Sequence, residues 1–172
     1  NCGISSLSIN HDSFDCSSVG NNPITLTVSD ASGNSSDCIA QVTISETTPP
    51  VAICQNASVD LDDDGMAVVL ASAVNNGSSD NCDSISLSLD IDTFTCDDLG
   101  GNQVVMTVTD GSGNSSTCTA VVDVNDTTVP TVLCQNITIQ LDSLGMATIT
   151  PEDVDGGSFD NCSTLALSID IS

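Results

Sequence analysis

The nine cysteines of this chain fall on one ruler. Cys2, Cys82 and Cys162 stand 80 residues apart (82 − 2 and 162 − 82). Cys16 and Cys96, Cys38 and Cys118, and Cys54 and Cys134 keep the same step. So do Phe14 and Phe94, Asp30 and Asp110, Gly33-Asn34 and Gly113-Asn114, and Gly65-Met66-Ala67 and Gly145-Met146-Ala147. A fixed period marks an array, and this one is longer than a solenoid repeat, so each unit should own a core. The ruler divides the chain into three parts. Residues 1–46 read as the C-terminal part of one repeat, 47–126 as a complete repeat and 127–172 as the N-terminal part of the next. The chain starts inside a repeat, on a residue other than Met, and reads as a window on a longer array.

Within each period the apolar residues alternate. Ile85, Leu87, Leu89 and Ile91 are separated by polar residues, and Leu165, Leu167, Ile169 and Ile171 repeat the pattern. Val104, Met106 and Val108, then Cys118, Ala120, Val122 and Val124, give two longer runs. Ala57, Val59 and Leu61 recur as Ile137, Ile139 and Leu141. Period-2 alternation with Ser and Thr between the apolar positions predicts half-buried antiparallel strands. Turn residues separate them, at 60–65, 75–81 and 110–114. One short helical turn is expected at 71–74. The predicted fold is all-β: tandem immunoglobulin-like β-sandwich domains of about 80 residues, stapled by disulfides. Thr47-Thr48-Pro49-Pro50 and Thr127-Thr128-Val129-Pro130 are the linkers, stiffened by proline.

Aromatics make up only 2% of the chain, so the core must be built from Val, Ile, Leu, Ala and Met. Such a core is small for 80 residues and calls for staples. In a sandwich of this kind the first and last strands run parallel, which brings Cys54 to Cys118. The rival pair Cys38 and Cys54 is separated by a whole strand, about 20 Å, beyond the disulfide limit near ~7 Å. Cys82 is expected to pair with Cys96, and its copy Cys2 with Cys16. Cys38, Cys134 and Cys162 are then left to partners outside the window. Zinc would want short Cys-x-x-Cys knuckles, which are absent. A catalytic thiol has no reason to recur with the period. Paired cysteines place the protein in an oxidising, extracellular setting.

The chain has 24 Asp and Glu and neither Lys nor Arg. Nucleic acid and anionic membrane surfaces are excluded as partners, since both are bound through cations. No apolar run reaches the ~18–20 residues of a membrane span. Strong like charge keeps crowded surface repeats apart, and divalent cations are the natural counter-charge. Asp60, Asp62, Asp64 and Gly65 open like a calcium loop, but Ala71 stands where the closing Glu belongs. Taken alone, the same residues read first as a hairpin turn that favours Asp and Gly. Topology would gather Asp123, Asp126 and Asp160 at the same junction, giving a candidate Ca²⁺ site of Asp60, Asp62, Asp64, Asp123, Asp126 and Asp160. His11 is the lone histidine and has no placed partner for base catalysis. Asn34 and Asn114, one period apart, belong to a set of Asn-x-Ser/Thr sites. Ser84, Thr127 and Ser143 follow Asp and precede an apolar residue or Thr. They resemble short O-glycan acceptor sites of Bacteroidetes.

The string Asp126-Thr127-Thr128-Val129-Pro130-Thr131-Val132-Leu133-Cys134, then Gly145-Met146-Ala147 and Asp160-Asn161-Cys162, resembles the hyalin-repeat (HYR-like) modules of Bacteroidetes surface proteins. So does Thr107-Val108-Thr109-Asp110 through Gly113-Asn114 to Cys118. The resemblance covers nearly the whole chain. Such modules stand in tandem in adhesins of the gliding-motility, SprB-like kind. The resemblance implies an immunoglobulin-like fold, secretion to the cell surface, and a stalk or filament in adhesion, with neighbouring repeats as partners and glycans or surfaces as targets. It brings no catalytic residues, and the chain is expected not to be an enzyme. The alternative is a calcium-dependent or glycan-binding module.

Overall fold

The computed structural model describes residues 3–82, 84–162 and 165–170, and the regular structure there is chiefly strand. By contacts it divides into two units, residues 1–51, 78–86 and 108–116, and residues 52–77, 87–107 and 117–172.

The first unit is built on a three-stranded antiparallel sheet, in which β2 (Gly20–Asp30) lies between β1 (Ile4–Ile9) and β3 (Ser35–Ile44). The β1–β2 register sets Leu7 against Val28 and Ile9 against Leu26; β2–β3 sets Ile24 against Ala40 and Leu26 against Cys38. Pro23 sits in β2 beyond the stretch paired with β1, where its missing N–H forfeits no ladder bond. A hairpin at Asp30 joins β2 to β3. The Asp30 carboxylate accepts N–H bonds from Ser32 and Asn34, and Gly33 supplies the left-handed residue that closes the turn, φ 87°. The hairpin at Asp110 in the same unit is made identically, with Ser112, Asn114 and Gly113.

The second unit holds most of the buried core. Its strands are β4 (Ala57–Asp60), β5 (Met66–Val68), β6 (Ser86–Leu89), β7 (Thr93–Thr95), β8 (Gly100–Thr109) and β9 (Ser115–Asn125), the ends of β6, β8 and β9 falling in the first unit. Four form one sheet in the order β4-β9-β8-β6, while β5 and β7 pair separately. β4 runs parallel to β9, setting Ala57 against Val122 and Val59 against Val124. A single helical turn, α1 (Ala71–Val74), follows β5. The alternation read from the sequence is the alternation of burial. Val104 and Met106 on β8, and Ala120, Val122 and Val124 on β9, are buried with Leu61, Ala67, Val69, Val74 and Phe94.

The copies of these elements at the two ends of the chain differ in burial. Leu61 is 4% exposed and its copy Leu141 is 68% exposed. Residues 137–140, the copy of β4, form no strand. The missing ingredient is a parallel partner. β4 is a strand because β9 lies beside it, and no such strand lies beside 137–140 among the described residues. The elements that need only local partners do form in residues 127–170. The turn at Asp142 repeats the turn at Asp62, and α2 (Pro151–Val154) repeats α1. The bridges Thr131–Phe159 and Cys134–Asp155 repeat Val51–Ser79 and Cys54–Asn75.

Candidate functional site at the joints between sequence repeats

Among the described residues three disulfides are present: Cys16–Cys82, Cys54–Cys118 and Cys96–Cys162. Cys54–Cys118 lies within repeat 47–126, where Cys54 leads into β4 and the parallel β9 carries Cys118. The other two correct the pairing expected from the sequence. Cys82 is bonded to Cys16, not to Cys96, and the copy Cys162 to Cys96, with Cα–Cα distances of 5.1 Å in both. Cys16 therefore does not pair with Cys2, which lies outside the described residues, and Cys162 is not left over. Cys38 and Cys134 are free and exposed. The reason is topological. After Cys82 the chain leaves along β6 and then enters β7, which belongs to a different sheet, so nothing returns Cys96 to Cys82. Each corrected bridge ties one sequence repeat to the following one.

The Cys16–Cys82 joint lies in the first unit. Cys16 opens a 3-10 turn, Cys16–Ser18, capped by Asp15, whose carboxylate accepts bonds from the Ser17 N–H and hydroxyl. Those Ser17 bonds, with a weaker one from Ser18, hold the Asp15 carboxyl below its ordinary range. Cys82 is set by Asp80, which accepts its N–H at 2.9 Å. Glu46 fastens the linker by accepting the Thr48 N–H at 2.6 Å. The Asn114 amide donates to Glu46 Oε2 at 2.6 Å and to Asp110 Oδ2 at 2.8 Å. One neutral amide thus holds two carboxylates, one from each repeat. Burial alone would push the Asp110 carboxyl up; the bonds from Asn114, Ser112 and Gly113 outweigh it and leave the group below its ordinary range.

The Cys96–Cys162 joint lies in the second unit. Cys96 opens the 3-10 turn Cys96–Asp98, which Thr95 and Asp98 close as a capping box. The bridge rests on the turn at Asp62. The Asn161 amide donates to the Asp62 carbonyl at 2.9 Å. Gly65 has φ +71°, and a Cβ there would lie 2.6 Å from Cys96 Sγ and 3.3 Å from the Asn161 carbonyl. The Asp62 carboxylate closes its own turn, accepting the N–H groups of Asp64 and Met66. Asp126, the copy of Glu46, accepts the Thr128 N–H at 3.1 Å.

The candidate calcium set is not assembled. Among the described residues no three His, Cys, Asp or Glu side chains come together as a metal site. Asp62 and Asp126 serve their own turns, and Asp160 accepts the Cys162 N–H. Asp60 lies 3.4 Å from the Asn125 amide, while Asp64 and Asp123 are exposed. The Asp-Gly motif is thus a turn that seats a disulfide. Neither Asn34 nor Asn114 presents a free amide for a glycan. Each donates its Nδ2 to the aspartate of its own hairpin, and Asn114 is half-buried as well. Ser84, Thr127 and Ser143 are exposed. His11 stands edge-on to Phe14, ring centroids 5.1 Å apart.

No family model matches the chain, and no curated protein matches it. Among solved structures it is similar to a protocadherin gamma-B4 extracellular domain, at 22% identity and a TM-score of 0.36, over 80% of this chain and 27% of that one. It is also similar to an endo-fucoidan hydrolase of glycoside hydrolase family 107, at 16% identity and a TM-score of 0.30, over 73% and 23%. The chain spans about a quarter of each. At these TM-scores neither likeness bears on fold or function.

The residues that make the joints had a signal in the sequence, but one without chemistry attached. Glu46 and Asp126, Gly65 and Gly145, and Asn81 and Asn161 all keep the period. Periodicity marks them as structural; only the fold shows Asn81 beside the Cys16–Cys82 bridge and Gly65 and Asn161 beside Cys96–Cys162. Among the described residues no helix is long and apolar enough to cross a membrane. Three disulfides are the mark of an oxidising compartment.

Proposed function

We propose that the chain is a structural stretch of an extracellular bacterial adhesin or surface filament. Its repeats are immunoglobulin-like β-sandwiches of the hyalin-repeat kind, standing in tandem as a stiff stalk at the cell surface. The observation that carries this reading is the pair of bridges Cys16–Cys82 and Cys96–Cys162, each joining a repeat to the next. A binding module or an enzyme has no use for a covalent tie that recurs at every joint. A stalk does, because a joint is where a string of domains bends. The Glu46–Asn114–Asp110 clamp supports the same reading, since it ties a linker to the hairpin of the following repeat. The stalk has no catalytic role, and its partners are its own neighbouring repeats.

The test is stiffness. Arrays of several complete repeats should scatter X-rays as rods when oxidised and as flexible strings once reduced. The double substitution Cys16→Ser with Cys96→Ser should loosen the oxidised array as reduction does. An array equally flexible in both redox states would sink the proposal. Saturable binding of one glycan class at the exposed loops would replace it with the binding-module reading.

A further inference from the structure

From the places of the joint bridges in the chain we infer a further role for them: they carry the tension of the array, along one short covalent line that bypasses most of each repeat. The role takes its purpose from the stalk reading; the line itself follows from the bonds. A pull that enters ahead of Cys16 crosses its bridge to Cys82, runs along the backbone to Cys96, and crosses again to Cys162. Each crossing spans 5.1 Å between Cα atoms. Only 14 residue steps of the period lie on the line (96 − 82), and the other 66 (162 − 96) lie beside it. Fully drawn, a repeat on this line spans about 55 Å, against about 280 Å without its bridges. The joints therefore hold the reach of the array under load roughly fivefold below that of an unbridged chain.

The segment on the line is seated for that load. β6 and β7 both fall between Cys82 and Cys96. They belong to different sheets: β6 ends the sheet β4-β9-β8-β6, while β7 pairs with β5, Thr93 against Val68 and Thr95 against Met66. At the bend between them the Asp90 N–H donates to the Val105 carbonyl at 3.1 Å, and Asp90 Oδ1 accepts the Val105 N–H at 2.7 Å. The Asp92 carbonyl accepts the Val69 N–H at 2.8 Å. Phe94, 1% exposed, is the largest of the fully buried side chains among the described residues. Thr95 and Asp98 close the box that holds Cys96. Tension between Cys82 and Cys96 is thus resisted by two ladders and by a side chain locked in the core.

The bypassed stretches hold the rest of the fold. β4 and β5 lie between Cys16 and Cys82, and β8 and β9 between Cys96 and Cys162. Cys54–Cys118 joins one stretch to the other and lies off the line. A pull strong enough to dislodge β6 and β7 therefore cannot string out β4, β5, β8 or β9. They stay close to one another, and the short excursion of β6 and β7 is all that must be reversed when the load falls.

The experiment pulls the 172-residue chain in an optical trap, by handles joined to its two ends, with unpaired thiols capped. The oxidised chain should reach about 150 Å and no more, and the reduced chain about 600 Å. Cys16→Ser with Cys82→Ser should reach about 300 Å, because Cys54–Cys118 then takes up part of the load. Phe94→Leu should lower the force at which β6 and β7 come away and leave the limit unchanged. An oxidised chain that draws out well past its limit would overturn the inference, and so would a Phe94→Leu chain that yields at the native force. Arrays that scatter as flexible strings while the limit holds would sink the stalk reading and leave the load line standing.

Discussion

Gly65 is held to glycine for two separate reasons, and they can be measured apart. Its φ of +71° costs a side-chain-bearing residue about 1–2 kcal/mol. Its packing under Cys96 Sγ adds a clash with a bridged sulfur that cannot swing away. Gly145 has φ +78° but nothing within 4 Å of its Cβ position. Gly145→Ala therefore carries the backbone penalty alone. Gly65→Ala should lower Tm further and leave a fraction of Cys96 and Cys162 unbridged, as counted by thiol alkylation. Asn114 makes a similar pair with Asn34. Each holds its own hairpin aspartate, but only Asn114 also holds Glu46. Asn114→Ala should lower Tm by a few degrees and Asn34→Ala by less, because only the first leaves two carboxylates facing each other unbridged. The carboxyls of Asp15, Asp30, Asp110 and Asp155 all lie below their ordinary value, held by hydrogen bonds from Ser17, Asn34, Asn114 and Ser158. For groups whose folded pKa is depressed, the unfolded chain binds protons first. Their contribution is complete above the ordinary carboxylate value of about 4 and is lost as pH falls below it, through the folded values. Acid also relieves the repulsion among the other carboxylates, so the test is differential: between pH 5 and pH 2 the Tm of the native chain should drop relative to that of Asp110→Asn.

At the scale of strands, the chain contains its own comparison. Met106 on β8 is fully buried and its copy Leu26 on β2 is half-buried. Met106→Ala should cost about 2–5 kcal/mol in denaturant unfolding, and Leu26→Ala clearly less. Equal losses would mean that the two faces are covered alike. The strands themselves were legible because burial follows the pleat: Val104, Met106 and Val108 stand on one side and Val105 and Thr107 on the other. The turns were legible because Asp, Gly and Asn make them by local bonds. Cysteine pairing was not. In a periodic chain Cys82 has one candidate 14 residues ahead, Cys96, and another 66 residues back, Cys16. Repetition cannot distinguish them, because the copies shift together. The choice was made by β7 leaving the sheet of β6, and no local pattern announces that. The Asp62 turn misled for a related reason. Its Asp-Gly chemistry serves a tight turn as well as a cation, and its true neighbour, Asn161, lies 99 residues away.

For the molecule as a whole, charge of one sign is the standing opposition to folding. With 24 acidic residues and no Lys or Arg, every long-range interaction between side-chain charges is repulsive except at His11 when protonated. Salt shortens the reach of that repulsion from about 30 Å at 0.01 M to about 3 Å at 1 M. Tm should therefore rise as NaCl is added. Ca²⁺ and Mg²⁺ should raise it equally at matched ionic strength, since no three acidic groups form a site among the described residues. A Tm rise specific to Ca²⁺ would show a site that these residues do not make. Against the repulsion stand three bridges closing loops of 64 and 66 residues, each contributing on the order of 4 kcal/mol by constraining the unfolded chain.

Those loops overlap. The spans 16–82, 54–118 and 96–162 leave no peptide bond between Cys16 and Cys162 outside a sulfur-closed ring. A protease that nicks the backbone once anywhere in that stretch severs nothing: the fragments stay tethered, and a non-reducing gel should still show one full-length band. Thread woven this way parts only where two cuts fall inside the same ring, or where a reductant follows the first.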